Sequence, residues 1–237
     1  ISYSKSKVGR VYPEWNDTNV LIGKYEYDDN LPLYIGWDFG KSDDTAIIWA
    51  QPTREGLRII DTYRNTGKNI DFYIPFVNGM IYGENNYTYK PEDMEIIKSH
   101  KEWKKATHFG DPAGRFQNQV TDDTVLSILR QYGIRVNFQD KWKEFKIRKH
   151  ETKLLIMNRI LLNQNPRSKF FNMCIIQSSY PQVKVDGIGE TRSEKPKHDA
   201  NSHFRSALEY LAIGISEGNE RMAAPFDKIK KEAIGKL

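Results

Sequence analysis

The sequence predicts an α/β fold: a mixed β-sheet, three antiparallel strands followed by parallel strands, flanked by α-helices. Three observations carry it. Three apolar segments of strand character crowd into residues 33–64 with only KSDD and PTREG between them, connections short enough to imply an antiparallel meander. Beyond them, helix-patterned and strand-patterned segments alternate to residue 218. The composition, 38% hydrophobic and 28% charged over 237 residues, suits one domain with a sizeable core, and no repeat or low-complexity tract interrupts it.

The first 30 residues read as an irregular, Tyr-rich lead-in that starts on Ile1 rather than Met, so an upstream partner domain is expected. Residues 31–220 form the domain proper, and residues 221–237 a basic tail. Within the domain the strands are LYIGWDF, TAIIWAQ and LRIIDTYR. NIDFYIPFVNGMIYG and PEDMEIIKSHKEWKKA then have helical spacing, the second opened by Pro91 with acidic residues behind it. THFGD is a short strand. DDTVLSILRQYG is a helix with Asp122 as N-cap, Val125, Leu126, Leu129 and Tyr132 as its inner stripe, and Gly133 as its stop. IRVNF is another short strand. Residues 143–163 read as one long amphipathic helix burying Ile147, Leu154, Leu155, Met157, Ile160 and Leu161. FFNMCIIQ fits strand or helix end, Pro181 to Lys197 is polar and basic, and DANSHFRSALEYLAIGISEG is the terminal helix. This is the element order of the RNase H-like fold.

Several function classes fall away. No apolar run approaches the roughly 20 residues needed to span a bilayer, and ISYSKSKVGR has no signal-peptide core, so a soluble intracellular protein is expected. Cys174 is the single cysteine and lies in an apolar stretch, so it is read as a buried, inert thiol. The net charge of +5 permits contact with a polyanion without establishing it.

The chemistry points to carboxylates. Asp38 ends the apolar run LYIGWD and shares a strand face with Tyr34 and Gly36. Asp111 ends THFG and is followed by Pro112, Ala113 and Gly114, which stop the strand. Asp199 stands at the start of the last helix. Each alone is more often a turn former or cap. Together, at strand and helix ends, they can converge on one crevice, where mutual repulsion is relieved by a cation. Oxygen-only ligands select Mg²⁺ or Mn²⁺, and two such ions suit phosphodiester cleavage. Asp44, across the first turn, is a further candidate ligand, whereas Asp43 reads as a turn residue.

With YIGWDFGKSDDTAIIWA, HFGDPAG, KHDANSHFRSALEYLA and GRVYPEW, the chain resembles the nuclease domain of phage large terminase subunits over nearly its whole length. The resemblance implies an RNase H-like fold and two-metal cleavage of double-stranded concatemeric DNA in the cytoplasm of an infected bacterial host. Asp38, Asp111 and Asp199 fall on its metal-binding acids. It also implies an ATPase domain upstream in the same polypeptide, and portal protein and a small terminase subunit as partners. No G-x-x-x-x-G-K-[ST] occurs in this chain, so the ATPase is not within it. The last motif departs from the D-A-L-R-Y pattern, because His203 and Phe204 lengthen it.

Lys197 and His198 beside Asp199 are candidates for positioning the scissile phosphate. Phosphate contacts are expected from Lys141, Lys143, Lys146, Arg148 and Lys149, and from Arg192 and Lys195; a solvated helix face is the competing reading for the first group. Trp142 and Phe145 read as core or lid residues. His100, His108, His150 and His203 lack zinc-ligand spacing and are read as surface or packing residues. WDFG has no other kinase signature beside it. Two alternatives stay open: a resolvase or transposase of the same fold, and a non-catalytic DNA-binding or portal-docking module.

Overall fold

The computed structural model describes residues 9–40, 43–83, 87–115, 124–185 and 189–221; the side chains of 115, 182–185, 189–192 and 219–221 are outside that description. The strands are β1 (Val20–Gly23), β2 (Tyr34–Asp38), β3 (Asp44–Thr53), β4 (Gly56–Thr66), β5 (Thr107–Gly110), β6 (Val136–Asn137) and β7 (Ile160–Asn163), in the spatial order β1-β7-β4-β3-β2-β5-β6. β2, β3 and β4 form the antiparallel meander; β5 joins β2 in parallel, β6 joins β5 in parallel, and β7 runs parallel to both β4 and β1. A separate hairpin pairs β8 (Gln182–Val185) with β9 (Gly189–Arg192).

Strand alternation divides the core into two layers. Ile35, Trp37, Ile47 and Trp49 face α1 (Ile74–Asn78), α2 (Pro91–Ser99) and α3 (Val125–Gln131). Tyr34, Ala46, Ile48 and Ala50 face α4 (Phe145–Met157), α5 (Pro166–Gln177) and α6 (Ser202–Arg221). Pro91 opens α2 as expected, and Gly133 supplies the left-handed backbone (φ 76°) just past α3. Thr124 is the observed N-cap of α3, its side chain accepting from the Ser127 amide; Asp122, expected there, lies outside the described residues. The inner stripe of α3 is Leu126 and Leu129, with Val125 and Tyr132 half-buried.

Two sequence expectations are corrected, and two open stretches are filled in. The lead-in is part of the core: β1 is a sheet edge, and Val11, Tyr12 and Trp15 are buried. The long helix of residues 143–163 is two elements. α4 stops at Met157, Arg159 takes a positive φ of 90°, and Ile160–Asn163 becomes β7 between β1 and β4. The apolar period runs straight through that break, so the buried face also differs from the expected one: Thr152 and Ile156 are inside, while Leu154 and Met157 are exposed. FFNMCIIQ is helical, within α5, opened by an Asn165 side-chain cap. The polar stretch after Pro181 contains the β8–β9 hairpin. Cys174 is buried in α5, and burial pushes its thiol up to about 11, as expected of an inert cysteine. Among the described residues no helix is long and apolar enough to cross a membrane.

Candidate active site

The site is built by a match between a strand period and a helix period. Two strand residues advance about 6.6 Å and four helical residues about 6 Å. On β2, Tyr34, Gly36 and Asp38 point toward α6. A Cβ added at Gly36 would stand 2.6 Å from the Ala207 carbonyl oxygen and 2.7 Å from Leu211 Cβ, so only glycine lets α6 lie this close. Two residues on is Asp38, one helical turn back is His203, and the His203 Nδ1–H donates to Asp38 Oδ2 at 2.9 Å.

The neighbouring strand repeats the arrangement. Trp37 pairs with Gly110 across the parallel β2–β5 ladder, so Asp38 and Asp111 follow side by side at the C-terminal ends of strands about 4.8 Å apart. The Phe109 ring fills the notch of Gly214, where an added Cβ would fall 2.2 Å from it. Two residues on is Asp111, and one turn back from Gly214 is Tyr210, whose hydroxyl pKa is pushed up by burial and, in the same direction, by the nearby Asp111 charge. Asp111 Oδ1 also accepts the Ala113 amide at 2.7 Å, through the tight turn foreseen from Pro112–Ala113–Gly114.

Burial lifts the Asp38 pKa above the ordinary carboxylate range in spite of the His203 hydrogen bond, and the charges of Asp111 and Glu209 push the same way. His203 is raised in turn: burial opposes its charge, but the Asp38 hydrogen bond and the charges of Asp38, Asp44 and Asp43 outweigh it. The site is therefore a negative concentration only partly offset by one imidazole. Its donors are carboxylate oxygens, the set that fits a hard divalent cation.

The other expected residues surround this pair. Asp44 starts β3 and forms an ion pair with Arg64 at 2.9 Å, so its charge is already matched by a cation. Arg64 also donates to the Ala200 carbonyl and stacks its guanidinium 4.6 Å over Phe170, tying the β3 start to the segment before α6. Asp199 lies three residues ahead of the first helical residue; its Oδ1 accepts the Asn201 amide and its carbonyl accepts the Ser202 amide. It acts there as a turn-forming cap beside the site. Lys197 and His198 are exposed, and His198 Nε2 stands 3.6 Å from Asp43 Oδ2.

Sequence reading underrates His203, which is buried against Asp38 rather than simply packed, and passes over Glu209, Arg205, Tyr210 and Tyr12. Glu209 is wholly buried in α6, paired with Arg148 at 3.1 Å and Arg205 at 3.3 Å, and accepts the Tyr12 hydroxyl at 2.9 Å. Arg148 lies 4.9 Å over the Tyr210 ring, whose hydroxyl is within electrostatic reach of Asp111. The signal is present as a helical spacing: 203, 207, 210, 211 and 214 form one stripe, with 205 and 209 on the opposite side of the helix.

Arg148, expected as a phosphate contact, is a part-buried counter-ion, its guanidinium taken up by Glu209 and the Trp142 carbonyl. Trp142 is core, as expected, and Phe145 packs half-buried. Lys141 pairs with Glu217 at 2.8 Å and Lys143 with Asp140 at 3.2 Å, while Lys149 lies over the Tyr180 ring. Lys146 and Lys195 are exposed; the Arg192 side chain and the basic tail lie outside the described residues. His100 and His108 are buried, and burial brings His108 down to about 3, a neutral ring accepting the Trp37 indole N–H.

The chain matches no protein-family model and no curated protein. Among solved structures it is similar to the large terminase of a thermophilic bacteriophage, with 13% identity and a TM-score of 0.60, covering 87% of this chain and 45% of that one. It thus spans less than half the length of that terminase. The large terminase nuclease of thermophilic phage G20c is similar at 12% identity and a TM-score of 0.55 over 86% of this chain and 97% of that chain, and a structure of that nuclease has magnesium bound. The Thermus phage P74-26 large terminase nuclease domain is similar at 12% identity and a TM-score of 0.53, covering 85% of this chain and 93% of that one. The chain has the RNase H-like fold of phage large-terminase nuclease domains.

Proposed function

We propose that this chain is the metal-dependent endonuclease domain of a phage DNA-packaging terminase, cleaving double-stranded concatemeric DNA in the infected host cytoplasm. The observation that carries the reading is the side-by-side placement of Asp38 and Asp111 at the ends of adjacent parallel strands, with Asp38 destabilised as an anion. The nuclease names of the structural neighbours support it. Asp38 and Asp111 are the central ligands, Asp199 closes the helix side, and Asp44 with Arg64 borders the far side. Two Mg²⁺ or Mn²⁺ ions held there would supply an activated water and neutralise charge on the scissile phosphate.

The chain's own residues do the rest. His203 holds Asp38 in one rotamer through Oδ2, and the Ala113 amide holds Asp111. Lys197 and His198, exposed at the mouth, would meet the phosphate, and Lys146, Lys149 and Lys195 would give sequence-independent attraction to the duplex. An ATPase domain upstream, the portal protein and a small terminase subunit complete the proposed machine.

The test is incubation of supercoiled and linear plasmid with the protein in Mn²⁺, Mg²⁺ or EDTA, beside a folded Asp111→Ala variant. Metal-dependent cleavage that disappears in the variant supports the reading. Cleavage that survives the substitution overturns the site, and silence from both proteins in every metal favours a docking module.

A further inference from the structure

A second metal-ligating set stands at the mouth of the site, and it is not made of oxygens alone. Asp43, His198 and His203 offer ligand atoms that all lie within 4.8 Å of one another. The hydrogen bonds fix which atoms those are. His203 Nδ1–H is spent on Asp38 Oδ2, so Nε2 is the nitrogen left for a metal, which would take the place of any proton there. At His198, Nδ1 lies 3.2 Å from Ser202 Oγ, whose own proton goes to the Asp199 carbonyl at 2.6 Å. Ser202 Oγ must therefore accept from His198 Nδ1–H, and again Nε2 is the nitrogen left. His198 Nε2 faces Asp43 Oδ2 at 3.6 Å, too far for a hydrogen bond, so neither group is consumed by the other.

We propose that His198, His203 and Asp43 bind a borderline divalent cation such as Zn²⁺ or Co²⁺. Two imidazole nitrogens and one carboxylate, with a position left open, is a donor set such ions prefer over Mg²⁺. Both histidines already have the oxygen partners on Nδ1 that metal-bound imidazoles show. A tetrahedral site with ligand distances near 2.0–2.1 Å needs donors about 3.4 Å apart. His203 is the buried anchor, and the Asp43 and His198 side chains, 60% and 75% exposed, are free to close the remaining gap. Asp38 Oδ2 belongs to this site's outer shell, while Oδ1 stays available to the carboxylate centre. Occupancy would join the loop before β3 to the segment before α6 across the entrance. The site stands on its own geometry and does not depend on the nuclease reading.

The experiment titrates the metal-free protein with CoCl₂, following the visible ligand-field bands, and competes the Co²⁺ off with ZnCl₂. One equivalent with intense low-symmetry bands is expected. His198→Ala and Asp43→Ala should weaken Co²⁺ binding by at least about 100-fold, and Ser202→Ala, which removes only the outer-shell oxygen, by about 10–100-fold. Asp111→Ala should leave these intense bands in place, because Co²⁺ held on carboxylate oxygens alone absorbs only weakly. Bands that survive His198→Ala, or that vanish in Asp111→Ala, would place the ion on the carboxylates and overturn the proposal. A Zn²⁺ titration read by long-range ¹⁵N–¹H spectra should shift the two Nε2 signals and spare His108; shifts confined to other histidines also overturn it.

Discussion

Gly36→Ala tests the link between packing and site directly. The new methyl carbon would lie 2.6 Å from the Ala207 carbonyl oxygen and 2.7 Å from Leu211 Cβ, against an ordinary carbon–carbon separation of about 3.5–4.0 Å. Neither neighbour is the tip of a flexible chain, so α6 must back away from β2 by about 1 Å or the strand must bend. Overpacking of that kind costs about 1–3 kcal/mol. The displaced helix carries His203, which touches Asp38, and Tyr210, which lies near enough to Asp111 to feel its charge, and a misplacement of about 1 Å in reacting groups can lower a rate by about 10²-fold. The assay is urea denaturation beside Mn²⁺-dependent plasmid cleavage by the folded protein. Gly83→Ala, where no described atom lies within 4 Å of the added carbon and φ is ordinary, is the control and should stay within about 0.5 kcal/mol. If Gly36→Ala matched Gly83→Ala in both stability and cleavage, the reasoning that α6 sets the site through Gly36 would be refuted.

Three further outcomes follow from the same structure. Asp61 is buried beside His100 and a bidentate Arg167; burial opposes its charge, but these partners outweigh it and depress its pKa. Its contribution is present above the unfolded carboxylate value of about 3.9 and is lost as pH falls through the lower folded value. Asp61→Asn should therefore lose about 1–3 kcal/mol in neutral urea melts, and the gap from the parent should narrow below about pH 4; a gap constant with pH contradicts the linkage. Glu209→Gln leaves Arg148 and Arg205 buried without their anion and should cost about 3–5 kcal/mol, read as a fall in denaturation midpoint; a shift under about 1 kcal/mol would mean the arginines reach solvent. On α4, Ile156→Ala should cost about 2–5 kcal/mol and Leu154→Ala far less, the reverse of what the continuous-helix reading requires.

The meander and the two chemistry-bearing strand ends were legible because their signals are local. Alternation placed β2, β3 and β4, and the apolar run before each carboxylate marked Asp38 and Asp111 as ends of strands. β7 was illegible because ILLN continues the apolar period of α4; only its partners, β1 and β4, make it a strand, and those contacts join residues more than 100 apart in one case and about 140 in the other. The lead-in hid its role for a similar reason. Tyr12 and Trp15 look like isolated aromatics until Glu209 and Asn172 supply hydrogen-bond acceptors for them. Asp199 shows how far spacing alone can go: the capping chemistry foreseen for an Asp near a helix start is present, yet the helix begins at Ser202, and the side chain that reaches Asp38 comes from His203.

The position of His203 explains how one helix serves two carboxylates at once. β2 and β5 lie side by side and end together, whereas α6 crosses both, so residues on one helical stripe meet the two strands at successive turns. Glycine is required once on each track, at Gly36, where it lets the strand lie against the Ala207 carbonyl, and at Gly214, where it makes room for the Phe109 ring, in each case two strand residues before the acid. Behind the stripe, Glu209 locks α6 to α4 through Arg148 and to the lead-in through Tyr12, which restrains rotation of the helix about its axis. A rotation would separate His203 from Asp38 and Tyr210 from Asp111 together. The buried Glu209 cluster is thus remote from the acids in contact and coupled to both in geometry, and its charge adds to the repulsion that Asp38 feels.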